Sequence, residues 1–119
     1  MTDARRVVGR SGEDAAAAWY AAAGYEVVDR NWRVREGELD LVVRGPGVLV
    51  FCEVKTRRSD AFGLALEAVT ARKRQRLRTL ARLWLAAHEV SAPALRFDVA
   101  AVGPDGRGSW NVDVVTNAF

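Results

Sequence analysis

The sequence is poor in the side chains that bind soft metals or carry redox chemistry. One cysteine and one histidine occur among its 119 residues. A structural zinc site normally takes four such ligands, and a histidine-rich catalytic site takes two or three. Neither a Walker-type phosphate loop nor a G-x-G-x-x-G dinucleotide motif is present in the sequence. Any metal would therefore be held mainly by oxygen atoms, which favours Mg²⁺ or Mn²⁺.

Long apolar runs are lacking as well. No segment approaches the roughly 20 apolar residues of a membrane-spanning helix, and residues 1–10 lack the apolar core of a signal peptide. The single Cys52 cannot form an intrachain disulfide. The chain is therefore predicted to be one cytoplasmic domain over residues 1–119 without a membrane partner, with residues 1–10 as a flexible basic arm.

Acidic residues become scarce in the last part of the chain. The net charge is +3, but residues 1–69 hold 10 basic and 11 acidic residues, whereas residues 70–119 hold 8 basic and 4 acidic ones. A basic segment predicts a polyanionic partner, although a solvated basic helix face would have the same composition. Six basic residues fall in one segment free of acids: Arg72, Lys73, Arg74, Arg76, Arg78 and Arg82.

Hydrophobic periodicity and turn signals divide the chain into seven elements. A helix is predicted from about Ser11, as its N-cap, to Ala23, with Gly24 as its stop. Three strands are predicted from "YEVVDRNWRV", "GELDLVV" and "VLVFCEVK", because β-branched and aromatic residues dominate them. The polar loop "TRRSDAFG" leads to a helix from about Thr70 to His88. The strands "LRFDVAAV" and "SWNVDVV" complete the order α-β-β-β-α-β-β.

Some residues are expected to be buried for reasons of packing. Trp19 and Trp84 are predicted to lie in the core, and so is Cys52, which faces away from the acids of its strand. Asp98 interrupts an apolar strand. It is predicted to be a structural hydrogen-bond acceptor, with a place beside a metal as the alternative. The second helix should face the core with a stripe of Leu77, Leu80, Ala81, Trp84 and Leu85.

The central hairpin carries charges where core residues are expected. Glu38 and Asp40 on one strand, and Glu53 and Lys55 on the next, follow apolar residues that lie nearer the Gly-Pro-Gly turn. Residues two apart share a face of a strand. Each strand therefore has a face that is apolar near the turn and charged further out.

The pairing of the two strands decides whether these charges meet. With Gly45 opposite Val48 in an antiparallel hairpin, Asp40 falls opposite Glu53. A slip of one residue would place Cys52 opposite Asp40 and turn the carboxylates to opposite faces. The favoured register thus brings two carboxylates to within roughly 5 Å at Cβ.

Two interpretations of this charged end follow from the residues alone. A divalent cation would relieve the repulsion between Asp40 and Glu53. Lys55 could then orient water or stabilise an anionic oxygen, which suits phosphodiester hydrolysis. Alternatively, the charges form the solvated end of a half-exposed hairpin, with Glu38 and Lys55 as a surface ion pair.

A family resemblance covers almost the whole chain. It runs through "GRSGEDAAAAWYAAAGYEVVDRNWR", "GELDLVV", "FCEVKTR", "TARKRQRL" and "RFDVAAV". In this order and spacing, the segments resemble the YraN family of the PD-(D/E)XK nuclease superfamily, which is similar to archaeal Holliday-junction resolvases. The resemblance implies an α/β domain with a restriction-endonuclease-like core, in which a mixed central sheet is flanked by helices.

The resemblance also implies roles for individual residues. Asp40 and Glu53 would bind Mg²⁺ or Mn²⁺ together with the backbone carbonyl of Val54. Lys55 would be the catalytic lysine. Glu13, in the first helix, matches the acidic position that completes the surroundings of the metal or of the water.

Further residues are expected around that centre. Glu38 matches a G-E-x-D pattern, and it is expected, like Gln75, to lie beside the ligands without binding the metal. The proline that precedes the aspartate in the superfamily is replaced here by Leu39. Nucleic-acid phosphates are expected to contact Arg72, Lys73 and Arg76.

The predicted function is metal-dependent, structure-selective endonuclease activity on nucleic acid, above all branched DNA. The first alternative is a nucleic-acid-binding accessory protein that keeps the nuclease fold and cleaves nothing. The second is a protein-interaction module that uses an exposed sheet edge. A homodimer is left open.

Overall fold

A computed structural model describes the backbone of residues 4–56 and 69–119, and side chains from residue 12 onward. Within these ranges the element order is the predicted α-β-β-β-α-β-β. The predicted polar loop, apart from Thr56, lies outside the described residues. The elements are α1 (Ala4–Ala22), β1 (Glu26–Val34), β2 (Gly37–Gly45), β3 (Val48–Thr56), α2 (Ala71–His88), β4 (Leu95–Pro104) and β5 (Trp110–Val115).

The first helix starts earlier than predicted. It begins at Ala4, so Ser11 lies inside it and is not its N-cap. Residues 4–10 are helical, which corrects the prediction of a flexible arm there. The physical reason is that this stretch has no proline, and its single Gly9 costs a helix only about 1 kcal/mol relative to alanine. An established helix therefore extends through it.

The other helix ends follow their sequence signals. Gly24 has a φ of 92° after the end of α1, and the Tyr25 N–H donates to the Tyr20 carbonyl, which confirms the predicted stop. The Thr70 hydroxyl accepts a hydrogen bond from the backbone N–H of Lys73 and caps α2. Among the described residues, neither helix is long and apolar enough to cross a membrane.

The five strands form one mixed sheet in the order β1-β2-β3-β4-β5. The neighbours β3 and β4 are parallel, and the other three neighbouring pairs are antiparallel. A parallel pair needs a long crossover, and α2 belongs to the segment that connects β3 to β4. The prediction of a mixed central sheet is confirmed.

The two helices cover opposite faces of the sheet. On the α1 side, Tyr20 packs among alternate residues of the central strands, including Cys52, which is buried as predicted. On the α2 side, Trp84 is fully buried, as predicted. Trp19 is 36% exposed, so its predicted place in the core is wrong. The buried residues of α1, which define its inner face, are Ala16, Ala17 and Tyr20, and Trp19 lies off that face.

A buried polar network fixes β4 to α1. Asp98 is fully buried and accepts a hydrogen bond of 2.6 Å from the Tyr20 hydroxyl. Two bonds of 2.9 Å come from the Arg96 guanidinium, and one of 2.9 Å comes from the backbone N–H of Asn117. The predicted structural role of Asp98 is therefore confirmed.

Candidate functional site

The hairpin of β2 and β3 adopts the predicted register. Gly45 pairs with Val48, and the ladder runs from there to the pair of Leu41 and Cys52. The next two residues beyond that last pair are Asp40 and Glu53. The two carboxylates predicted to meet thus lie where the regular ladder ends.

Beyond this point, Asp40 replaces main-chain pairing with a side-chain contact. Its Oδ2 accepts a hydrogen bond of 2.9 Å from the backbone N–H of Val54. On its other edge, β3 continues to pair with β4 from Glu53 to Thr56. The carboxylate of Asp40 therefore joins β2 to β3 where their main-chain pairing has ended.

The alternation of faces in β2 changes at the same place. Val42 packs on the α2 side with Phe51, and Leu41 packs on the α1 side. Strict alternation would put Leu39 with Leu41, but Leu39 packs in the cluster on the α2 side. Asp40 lies at this change. It lines one pocket with Leu77 and Leu80 of α2, on the side of the sheet where Val42 packs. Its carboxylate also lies near that of Glu13 from α1.

A pocket of about 210 Å³ opens where the alternation of faces in β2 changes. Three of the predicted acids line it together with two basic residues of α2. Because the pocket lies between the strand ends and α2, it combines oxygen ligands with positive charge. The lining residues are Gly37, Glu38, Asp40, Glu53, Lys73, Arg76, Leu77 and Leu80.

Three carboxylates converge beside this pocket. Glu13, Glu38 and Asp40 each offer an oxygen, and these oxygens lie within 4.8 Å of one another. Burial, followed by the nearby charge of Glu53, raises the pKa of Asp40 to about 8. Burial also raises the pKa of Glu13, although a hydrogen bond with Asn31 opposes this. Like charges at this distance oppose one another's ionisation, which a cation would reverse.

Glu53, by contrast, is neutralised by lysines. Its Oε1 lies 2.7 Å from Lys73 Nζ and 3.3 Å from Lys55 Nζ. Glu38 forms its ion pair with Arg33, at 2.8 Å, and not with Lys55 as the surface-pair interpretation supposed. In the described residues, the acids that converge are thus Glu13, Glu38 and Asp40, a different set from the expected ligand pair of Asp40 and Glu53.

The pKa values of Lys55 and Lys73, which share Glu53 as a partner, are shifted in opposite directions. Burial lowers the pKa of Lys55, and the neighbouring Lys73 lowers it further. Burial alone would also lower the pKa of Lys73, but its contact with the Glu53 carboxylate outweighs this and raises it. Lys73 is therefore the better permanent cation, and Lys55 is the lysine that more readily gives up its proton.

Close packing of α1 against β3 brings Glu13 to the pocket. A Cβ atom added to Gly12 would clash with the Thr56 hydroxyl, so a side chain at residue 12 would force Thr56 or the helix to shift. Asn31, with a positive φ of 53°, provides the partner of Glu13. Sequence reasoning missed Gly12 and Asn31. The signal for Gly12 was a glycine inside a helix, next to the acid that the resemblance selected.

The basic residues of α2 divide into two groups. Arg72 and Arg76 are exposed, as expected of phosphate contacts. Arg74 and Arg78 lie over the ring of Phe119, at 5.7 and 5.6 Å from its centroid. Their charge is therefore directed towards the C-terminal residue and away from the pocket.

Gln75 does not reach the pocket. It is exposed and absent from the lining, so the expectation that it lies beside the metal ligands is wrong. The lining residues of α2 are Lys73, Arg76, Leu77 and Leu80. Their helical spacing defines the inward face, and residue 75 falls outside it.

Comparison with known proteins places this sequence in one family. The family described as "Uncharacterised protein family UPF0102" matches residues 12–102, which include the pocket residues. The chain belongs to the UPF0102 family. A UPF0102 protein of Frankia casuarinae is 51% identical over 116 residues, which are 98% of each chain.

Other UPF0102 relatives show the same extent of similarity. One from Beutenbergia cavernae is 54% identical over 110 residues, which cover 92% of this chain and 93% of the relative. One from Symbiobacterium thermophilum is 48% identical over 114 residues, or 96% and 97% of the two chains. The similarity to UPF0102 proteins thus includes both helices and all five strands.

Proposed function

We propose that this UPF0102 protein is a divalent-cation-dependent endonuclease that hydrolyses phosphodiester bonds, with branched DNA as its substrate. The proposal includes a restriction-endonuclease-like core and kinship with the PD-(D/E)XK nucleases. The observation that carries it is the meeting of Glu13, Glu38, Asp40 and Glu53 with Lys55 at the end of one hairpin. Structural ion pairs alone do not require so many adjacent carboxylates.

The residues present fit a hard cation. Glu13, Glu38 and Asp40 supply the carboxylate oxygens that Mg²⁺ and Mn²⁺ prefer, and burial together with the charge of Glu53 raises the pKa of Asp40, an effect that a bound cation would oppose. Glu53 would join them once it is released from Lys73. A bound cation would offset charge on the scissile phosphate and make water more acidic.

The protein's own side chains have separate tasks in this proposal. Lys55, whose pKa is lowered by burial, accepts or positions the proton of the attacking water. Arg72 and Arg76 hold backbone phosphates on either side, which selects for shape and charge over base sequence. The half-buried pocket limits competing water around these groups.

A second candidate is a nucleic-acid-binding protein with this fold that does not cleave. One observation favours it: Lys73 and Lys55 both neutralise Glu53, as they would in a purely structural ion-pair network. The two candidates share the phosphate contacts on α2 and differ in whether Lys55 is needed for a reaction.

A cleavage assay separates the candidates. Labelled junction, flap, single-stranded and duplex DNA, with matched RNA duplex, would be incubated with protein and Mn²⁺ or EDTA. We expect Mn²⁺-dependent cleavage of junction DNA that falls at least about a hundredfold in Lys55→Ala. Asp113→Asn, at an exposed carboxylate of β5, is the control and should cleave normally. Cleavage of no substrate, or full activity of Lys55→Ala, would contradict the proposed enzyme.

A further inference from the structure

One carboxylate oxygen is shared by two lysines that come from different elements. Glu53 Oε1 lies 2.7 Å from Lys73 Nζ of α2 and 3.3 Å from Lys55 Nζ of its own strand. The side chain of Glu53 is only 8% exposed, so water does little to solvate it. While both lysines remain in place, Glu53 is neutralised and does not act as a cation ligand.

The two lysines differ in how easily they can leave. Lys55 belongs to β3, and its side chain is 19% exposed. Lys73 belongs to the first turn of α2, and its side chain is 34% exposed. The backbone of Lys73 is fixed by the Thr70 cap. Its ammonium lies at the end of a flexible four-carbon stem, so it can move while the helix stays still.

The exposed arginines of the same helix show where Lys73 would move. Arg72 and Arg76 flank it and face solvent, where a polyanion would approach. A phosphate held by these arginines would offer the ammonium of Lys73 a second anionic partner. Glu53 and the phosphate would then compete for one positive charge.

We propose that Lys73 is an exchangeable counter-ion that couples the binding of nucleic-acid phosphates to the binding of a divalent cation at Glu53. This inference rests on the proposed function, because it concerns the same pocket. Without nucleic acid, Lys73 neutralises Glu53. With phosphate on α2, Lys73 turns to the phosphate, and Glu53 becomes free to join Asp40 in binding the cation.

The charges of the pocket give this exchange its direction. Glu13, Glu38 and Asp40 already form an acidic cluster, in which Glu38 alone has an ion-pair partner among the described residues, and the loss of Lys73 adds Glu53 to it. The affinity for a cation rises because more negative charge faces it in a partly desolvated pocket. By linkage, a bound cation must raise the affinity for phosphates by the same factor.

The first arm of the test measures Mn²⁺ binding without nucleic acid. Isothermal titration would compare the wild type with Lys73→Gln and Arg76→Gln. Both variants lose one positive charge from the lining of the same pocket, but of these two residues Lys73 is the one that forms an ion pair with Glu53. We expect roughly tenfold tighter Mn²⁺ binding in Lys73→Gln and about threefold or less in Arg76→Gln. Lys73→Met, which keeps the apolar stem, serves as a second variant.

The second arm measures coupling. The affinity for a short phosphorothioate duplex, which resists hydrolysis, would be followed by fluorescence anisotropy with and without Mn²⁺ at constant ionic strength. In the wild type and in Arg78→Gln, whose guanidinium lies over the Phe119 ring, Mn²⁺ should raise the affinity by the same factor, roughly tenfold. In Lys73→Gln the gain should largely disappear, because Glu53 is already free.

The outcomes separate this inference from the proposed function. Equal effects of Lys73→Gln and Arg76→Gln on Mn²⁺ binding, equal Mn²⁺-induced gains in Lys73→Gln and Arg78→Gln, or the absence of Mn²⁺ binding in all the proteins, would overturn the exchange. If the wild type cleaves DNA but Lys73→Gln keeps the full Mn²⁺-induced gain in nucleic-acid affinity, the nuclease is supported and the exchange is wrong. If the coupling depends on Lys73 but the protein cleaves no substrate, the exchange is supported and the nuclease is wrong.

Discussion

Two aspartates of the same sheet differ in what surrounds them. Asp98 on β4 is fully buried, and it receives hydrogen bonds from Tyr20, Arg96 and the backbone of Asn117. Asp40 on β2 receives one backbone N–H bond, and its pKa is raised to about 8, first by burial and then by Glu53. Asp98 is fully buried and Asp40 is half-buried, but only Asp98 has an ion-pair partner, Arg96, among the described residues.

The difference shows how a structural carboxylate can be told from a functional one. A buried carboxylate with a cation and donors on every side holds elements together. A carboxylate that lies among other carboxylates costs stability until something outside the chain neutralises it. Asp98 connects β4 to α1, whereas Asp40 lies at the end of the ladder that joins β2 to β3. We expect substitutions at the two positions to have opposite effects on stability.

The largest effect should follow Asp98→Ala. The change leaves the Arg96 guanidinium and the Tyr20 hydroxyl without their partner, and we expect a loss of about 3–5 kcal/mol in the free energy of unfolding. Urea denaturation measures it, with Asp98→Asn as a milder variant should the alanine protein not fold. Asp113→Ala, at an exposed aspartate of β5, is the control and should change stability by about 0.5 kcal/mol or less. A similarly small change in the free energy of unfolding of Asp98→Ala would contradict the structural role of Asp98.

The next effect is stabilisation by a divalent cation. At 100 times its dissociation constant, Mn²⁺ should stabilise the wild type by roughly 2.7 kcal/mol, because it binds the folded state alone. Asp40→Asn should abolish this gain, and in EDTA it should be at least as stable as the wild type. Thermal melts with Mn²⁺ and with EDTA provide the measurement, with Asp113→Asn as the control. If Mn²⁺ raises the melting temperature of Asp40→Asn as much as that of the wild type, the cation does not bind at Asp40.

The dependence of stability on pH should show how much the ionised Asp40 carboxylate destabilises the folded state. Its pKa is raised from 3.8 to about 8, so the folded state favours the protonated form. Without metal, the contribution of Asp40 to stability should therefore be fully present below its unfolded pKa and should be lost as the pH rises towards 8, by up to about 1.4 kcal/mol per pH unit. In Asp40→Asn this fall should be smaller. Denaturation midpoints between pH 5 and 8 in EDTA test it, and identical slopes would contradict the burial of charge at Asp40.

The sequence was sufficient for the parts that repeat a local pattern. The register of Gly45 with Val48 followed from the turn and the apolar alternation, and the helix stop at Gly24 followed from its backbone freedom. The burial of Trp84 followed from helical spacing. Each of these features is determined by residues that are close in the chain.

The parts that sequence could not supply depend on packing between distant segments. The change of faces at Leu39 and the approach of Gly12 to Thr56 both determine the surroundings of Asp40. Neither follows from periodicity, because each depends on how closely one element packs on another. The pairing of Glu53 with Lys73 likewise joins a strand to a helix. The three acids of the pocket, Glu38, Asp40 and Glu53, were therefore predictable, whereas their partners were not.

The smallest effect should distinguish the arginines of α2. Arg76 is exposed beside the pocket, whereas Arg78 lies 5.6 Å from the centroid of the Phe119 ring. If Arg76 contacts one phosphate, Arg76→Gln should lower the slope of log affinity against log salt concentration by about 0.9. That corresponds to a salt effect roughly three to four times smaller between 50 and 200 mM salt. Arg78→Gln removes the same charge from the same helix and should leave the slope unchanged, because its guanidinium is directed to the aromatic ring. Equal slopes for both variants, measured by anisotropy with junction DNA, would mean that α2 attracts nucleic acid only through its net charge and that the exposed arginines are not individual phosphate contacts.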